Sequence, residues 1–330
     1  MHSESSSSTT SVAAPWPRVA FIGAGRIAQV LAPALQRLGC PVVAVASRSE
    51  ASAQHLAGLL AEAAAGADPG SVQEPPGPER LAATQAHAAG LVCDAQTAVD
   101  RAELVWLTVV DDAIAPTAAT LRWRPGQAVV HCSGATELTA LQAAADLGAA
   151  VAGFHPLQIF SDPVLAARRL AGSSVAIEAS GSTDALLIRI AEGLGLAVLR
   201  LPPGSRSLYH AGAAYAASNL LAMLDEAAVV WRTLGIDEAA ALRALLPLAH
   251  LTLDAAGQRG LAQAQAGPIA RGDAGVVRRQ IGALAALGPS HADFYRELGR
   301  RQLELARRAG RLDAAALGRL GEALAPPDES

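Results

Sequence analysis

Four polar clusters interrupt an otherwise apolar sequence, and each holds side chains able to do chemistry. His131-Cys132-Ser133-Gly134 closes one apolar run, and His155 stands within GFHPLQIF. SLYHAGAAYAASN carries Tyr209, His210, Tyr215 and Asn219. GPIARGD, at 267–273, sets Arg271 and Asp273 among two glycines and a proline. The chain has no lysine; its 26 basic residues are all arginine. A lysine Schiff base and a lysine proton donor are therefore excluded. Histidine, which titrates near neutrality, takes their place. Imidazoles, an amide and a guanidinium suit reduction of a carbonyl or imine carbon, where a proton must be given as hydride arrives at a held substrate. His155 and His210 are the candidate donors. Asn219 can bond a substrate oxygen, and Arg271 can grip a carboxylate as a fork, with Asp273 fixing the guanidinium. Ser133 and Tyr215 are expected to touch substrate. On a straight helix His210 and Asn219 face opposite ways, whereas Tyr215 and Asn219, four apart, share a face.

Hydride transfer requires a carrier, and Gly23-Ala24-Gly25-Arg26-Ile27-Ala28 fits G-x-G-x-x-A. In that pattern the first glycine makes the turn and the second lets the backbone approach a pyrophosphate. The small third residue lets the helix pack closely on the sheet. The helix start then presents N–H groups to the phosphates. An NAD site usually has an acid at the tip of the second strand. Here the tip reads Ser47-Arg48-Ser49, which suits a 2′-phosphate. NADP(H) is thus the expected cofactor, with Gly23, Gly25, Arg26, Ile27, Ser47, Arg48 and Ser49 around it. Val110 and Asp111, after the fourth strand-like run, are expected to pass over it; Asp111 or Asp112 is also expected to cap the following helix.

The elements that position these residues alternate. RVAFIG, PVVAVASRS, GLVCD, AELVWLTVV, QAVVHCSG, AVAGFHPLQIF, SSVAIEA and LAVLRLP read as strands, with helical periodicity between most of them. This is the pattern of a parallel sheet covered by helices, an α/β doubly wound fold of Rossmann type. From about residue 205 only helical patterns remain. The expected organisation is a disordered tail over 1–16, a cofactor domain over 17–203 and an all-α domain over 204–330 for substrate and dimerisation. A Pro/Gly-rich surface insertion is expected over 66–80.

Composition narrows the function classes. Hydrophobic residues make up 51% and charged residues 17%, a globular balance. A net charge of -4 without a basic block argues against nucleic-acid or membrane-surface partners. Cys40, Cys93 and Cys132 lack metal or disulfide spacing and read as buried small residues; no metal is expected. The N-terminus has no signal-peptide pattern and no run stands out as a membrane span, so a soluble cytoplasmic protein is expected.

GAGRIAQVLAPAL, VDDAI, VVHCSGA, FHPLQIF, YHAGAAYAASN and GPIARGD, in that order, resemble the Rossmann-like proteins carrying the domain of unknown function 2520. These are relatives of the 6-phosphogluconate dehydrogenase-like reductases, and the resemblance spans about residues 17–310. It implies an NADP-binding first domain, a 6-phosphogluconate dehydrogenase-like helical second domain with the family's own region beginning near 152, and often a homodimer. Some members act as an alternative ketopantoate reductase in pantothenate synthesis. Wider hydroxyacid-dehydrogenase relatives carry Lys and Asn four apart on the first C-terminal helix. Asn219 matches that Asn, and Tyr215 stands where the Lys would be. The expectation is therefore an NADPH-dependent oxidoreductase acting on a small 2-oxo acid, ketopantoate first. An imine reductase of the pyrroline-5-carboxylate type and a non-catalytic NADP(H)-binding regulator are the alternatives.

Overall fold

The computed structural model of the chain describes residues 15–66 and 78–326. Most of the expected tail, and most of the expected insertion, lie outside the described residues. The chain divides into two compact units, Met1–Ala213 and Ala214–Ser330.

The first unit is built on a seven-stranded sheet: β1 (Val19–Ile22), β2 (Val42–Ala46), β3 (Leu104–Leu107), β4 (Ala128–His131), β5 (Ala150–Leu157), β6 (Ser174–Glu178) and β7 (Ala197–Arg200). The order is β2-β1-β3-β4-β5-β6-β7. Neighbours are parallel except β5 and β6, which are antiparallel. The helices α1 (Arg26–Leu38), α2 (Glu50–Ala64), α3 (Pro78–Leu91), α4 (Ala95–Arg101), α5 (Asp111–Thr120), α6 (Gln142–Asp146), α7 (Pro163–Arg168) and α8 (Gly181–Gly193) lie between the strands in sequence. Alternation along each strand sorts the core onto two faces. Phe21, Trp106, Val130 and Phe154 pack with Leu31 and Leu35 of α1, Leu56 of α2 and Leu187 of α8. Ile22, Val105, Leu107 and Val129 pack with Val99 of α4, Ile114 of α5 and Ala144 of α6. At the centre of the first face Trp106 stacks on Phe21 at 5.9 Å and meets Phe154 edge-on at 5.0 Å.

Three sequence expectations change here. GLVCD is not a strand: α3 runs to Leu91 and Asp94 already caps α4, leaving room for only a single bridge from Val92 to Val45. Trp16, placed in the tail, is packed, with the Arg189 guanidinium 3.5 Å above its ring. Cys40 and Cys132 are buried, but Cys93 is only partly so.

Helix α9 (Arg206–Ala216) carries the chain out of the first unit. The second unit holds α10 (Ser218–Arg232), α11 (Glu238–Arg259), α12 (Leu261–Ala264), α13 (Ala274–Leu287), α14 (Pro289–Ala309) and α15 (Ala314–Ala323). Its core is small: Ile269, Val277, Ile281, Leu303, Leu320 and Leu324. By contrast α10 buries only Ala228 and α11 only Ala241. The stretches Arg206–Arg232 and Glu238–Arg259 are long and apolar enough to cross a membrane, at mean hydropathy 1.2, and little of either is buried. That corrects the reading that no run qualifies. Few charges fall within their windows, and Ala and Leu raise the hydropathy.

Trp106 fixes the centre of the sheet, so Trp106→Ala is expected to cost about 3–5 kcal/mol. Urea denaturation measures it; a loss below about 1 kcal/mol would show that the ring is not the keystone of this face.

Candidate active site

The turn after β1 has the shape a dinucleotide requires. Gly23 has φ +105°, and a Cβ there would stand 2.5 Å from the Thr108 carbonyl oxygen at the end of β3. Only glycine allows both the left-handed backbone and this approach. Thr108 Oγ1 donates to the Gly23 carbonyl at 2.7 Å and holds the turn against β3. Gly25 is the N-cap of α1 and offers no side-chain acceptor, so the first-turn N–H groups remain for an anion. Ile27 is partly buried behind them. At the tip of β2, Ser47 Oγ accepts from Ser49 N–H at 3.3 Å, and Ser49 caps α2 through Ser52 N–H at 3.3 Å. Arg26 and Arg48 are exposed, and neither has a hydrogen-bond or ion-pair partner among the described residues. These residues fit a phosphorylated dinucleotide: a cradle without side chains for the pyrophosphate and two free guanidinium groups beside it.

The capping expectation at α5 fails. Val110, 66% exposed, takes the N-cap position without a side-chain bond, and Asp111 and Asp112 follow in the first turn. Asp111 turns instead to β4, accepting from Ser133 Oγ at 2.8 Å. Ser133 Oγ also bonds Thr136 Oγ1 at 2.9 Å and accepts from Thr136 N–H at 2.9 Å, so the serine organises the turn after β4.

Register places the next group. Leu107, His131, Gly153 and Glu178 form one row across β3, β4, β5 and β6, on one face of the sheet. Gly153 leaves a slot in that row, filled by the guanidinium of Arg206, which is fully buried. Arg206 Nε donates to Glu178 Oε2 at 2.6 Å, and Nη1 donates to the Ser133 carbonyl at 2.8 Å. On the other side of the slot His131 is buried, with Nδ1 accepting from Ser133 N–H at 3.2 Å. Burial, then the charge of Arg206, lowers His131 to about 3.

Beyond Gly153, β5 loses β4 as a partner and continues with β6 alone, from Phe154 to Leu157. His155 sits on this overhang. Its Nδ1 shares a 2.9 Å hydrogen bond with the Tyr209 hydroxyl, and its ring meets that of His210 at 5.7 Å. Both imidazoles press on Gly134, where a Cβ would lie 2.5 Å from His210 Nδ1 and 2.9 Å from His155 Nε2. Burial, then His210, lowers His155 to about 4, so the ring is neutral at pH 7. Burial also raises the Tyr209 hydroxyl. The structure thus brings His155, His210, Ser133 and Asp111 to one end of the sheet.

Tyr215, Asn219, Arg271 and Asp273 belong to the second unit. Tyr215 and Asn219 do not share one helix: Ala217, at φ -118° and ψ -94°, separates α9 from α10. Gly267 and Gly272 do make the turn of GPIARGD, at φ +95° and +77°. Asp273 does not hold Arg271; it caps α13, accepting from Val276 N–H at 3.0 Å. Arg271 is exposed, without a partner among the described residues. A short acid at a helix start bonds the nearest free N–H, and that local geometry outcompetes the arginine. Sequence reasoning gave no site role to Thr108, His131, Glu178, Tyr209 or Arg206. Only Tyr209 and His131 carried a signal, as members of polar clusters.

A mostly parallel sheet with a glycine turn after its first strand and polar groups gathered at the same end defines the class of Rossmann-type nicotinamide oxidoreductases. Residues 18–134 match the family model described as NADP oxidoreductase, coenzyme F420-dependent, and residues 173–302 match the domain of unknown function DUF2520. The two matches stand in the order expected of the Rossmann-like proteins that carry this domain. No curated protein matches the sequence. Among solved structures, a candidate NADP oxidoreductase from Bacteroides fragilis is 24% identical with TM-score 0.60, over 87% of this chain and 98% of that one. An imine reductase from Pseudomonas is 17% identical with TM-score 0.56, over 94% and 100%. A reductive aminase from Aspergillus terreus, in complex with NADPH and ethyl-5-oxohexanoate, is 14% identical with TM-score 0.53, over 94% of each chain. These likenesses are of fold.

His131 and His155 make stability depend on pH. Folded, they stay neutral down to about 3 and about 4; unfolded, they protonate near 6.5. Below 6.5 the unfolded chain therefore binds more protons, and stability falls as pH drops from 6.5 toward 4. At about 1.4 kcal/mol per pKa unit, the expected loss is several kcal/mol. Urea midpoints taken between pH 7.5 and 4.5 should fall steadily; a flat profile would mean the rings are solvated.

Proposed function

We propose that the chain is an NADPH-dependent reductase of a small carbonyl or imine compound, with the first unit holding cofactor and the second contributing to substrate binding. The convergence of His155, His210 and Tyr209 over Gly134, at the carboxyl end of β4, carries this reading. A protein that only senses a nucleotide has no use for proton-exchanging groups there. Gly23, Gly25, Arg26 and Ile27 hold the pyrophosphate end, and Arg48 with Ser47 the 2′-phosphate. NADPH supplies the hydride when bound. His155, neutral and anchored on Tyr209, cannot be the cationic acid at pH 7; it orients the reacting oxygen or nitrogen. His210, exposed and beside it, is the donor. Ser133 and Asp111 keep the turn after β4 in place. The substrate we favour is a 2-oxo acid, ketopantoate first, because Arg271 is a free fork for a carboxylate, with Tyr215 and Asn219 as further substrate contacts. A cyclic imine acid such as pyrroline-5-carboxylate presents the same carboxylate.

The test is NADPH oxidation by the purified protein with ketopantoate and with pyrroline-5-carboxylate. Turnover of one is expected, with His210→Ala reducing kcat about 10²–10⁴-fold, the range of general acid catalysis. Arg48→Ala is expected to raise KM for NADPH while leaving KM for NADH unchanged. Tight NADPH binding with no turnover of either compound would discard the reductase and favour the regulator.

We also propose that the protein is a cytoplasmic homodimer, in which a second copy covers α10 and α11. Leu221, Leu248, Leu251 and Leu253 are each more than half exposed there, and a self-complementary apolar face favours a two-fold partner. Sedimentation without detergent should give twice the chain mass. Dependence on detergent for solubility would favour a membrane in place of the second copy.

A further inference from the structure

Arg206 is the largest polar side chain in the core, and it touches nothing that reacts. It nevertheless ties α9 to β6 and to the turn after β4, and packs on β5. Its backbone N–H donates to Glu137 Oε1 at 2.9 Å, beyond the turn after β4. Nη1 reaches the Ser133 carbonyl within that turn, and Nε reaches Glu178 on β6. The guanidinium itself occupies the slot above Gly153, two residues before His155 and therefore on the same face of β5. Tyr209 and His210 follow Arg206 by three and four positions on α9, so the three side chains share one helix face. A helix anchored by its first residue can present the next turn in only one way.

We propose that Arg206 is a positioning residue, whose forked bonding across the Gly153 slot sets Tyr209 and His210 of α9 against His155 and Gly134. The inference rests on the reductase reading for its consequence, but not for its geometry. The fork, and not the charge alone, is the active element: two donors on one plane, Nε and Nη1, meet a carboxylate on β6 and a carbonyl in the turn after β4. Glu178 neutralises the guanidinium and is itself buried at 8% exposure, so each partner requires the other. Nη2 of Arg206 and Nε2 of His131 are buried without partners among the described residues. The slot is therefore polar on both sides of Gly153 and unsuited to an aliphatic replacement of Arg206 alone.

The histidine rings report the positioning directly. His155 faces Tyr209 and His210 on α9, Arg206 at the start of α9, and Asp111 on α5. With ¹⁵N-labelled histidine, NMR reads its tautomer and titration midpoint whether or not a substrate is known. Arg206→Lys keeps the charge and loses the fork. Arg206→Met with Glu178→Met removes both charges, so that neither is left buried alone; it guards against simple unfolding of a single variant. In both variants the Tyr209 bond to His155 Nδ1 is expected to be lost, seen as a changed Nδ1 shift. In the double variant the midpoint should also rise from about 4 toward 6.5. NADPH affinity, set at the Gly23 turn, should stay within about twofold. If the reductase reading holds, kcat falls at least tenfold while KM for NADPH is unchanged. Folded variants whose His155 keeps its tautomer and midpoint would overturn the positioning role, whatever their turnover. Loss of the Nδ1 bond in a protein that turns nothing over would keep the positioning role and sink only the reductase.

Discussion

The structure depends on backbone being able to approach polar atoms at one end of the sheet. Gly23, Gly134 and Gly153 lie after β1, after β4 and within β5, and each lacks a side chain where another group must stand. At Gly23 the neighbour is the Thr108 carbonyl at the end of β3. At Gly134 the neighbours are two imidazoles. At Gly153 it is a whole guanidinium. A methyl group at any of the three would displace the group that gives its site meaning, and at Gly23 it would also strain the backbone.

Burying polar groups here sets the electrostatics. Arg206 and Glu178 are taken out of water together, which costs solvation that their mutual attraction has to offset. Burial first, and neighbouring charge second, press His131 and His155 into the neutral form. His155 thus differs from exposed His210 by environment alone, although the rings touch.

Much of the sheet was legible because its strands are short apolar runs, and seven of the eight runs read this way are the seven strands. GLVCD misled because its apolar residues belong to the end of a helix. The glycine turn was legible for the same local reason: its function is written in consecutive residues. Arg206 was not legible. An arginine before a helical pattern reads as a solvated first-turn residue, and its burial is decided by Gly153 and Glu178, on distant strands. Asp111 and Asp273 show the limit on a finer scale. Both stand at helix starts; one caps locally and the other reaches across to Ser133. Only the fold supplies that distinction.

The overhang of β5 bears on how such a site can change over generations. His155 rides on a ribbon projecting past the edge of β4, so its height above the sheet is set by a count of residues. Side chains alternate, and each residue advances about 3.3 Å. An insertion of two residues after Gly153, matched on β6, would lift the imidazole by about 6.6 Å and leave it on the same face. An insertion of one would turn it toward the apolar face and carry Phe154 round to the polar side. The height of the imidazole above the sheet can therefore change only in even steps without changing face.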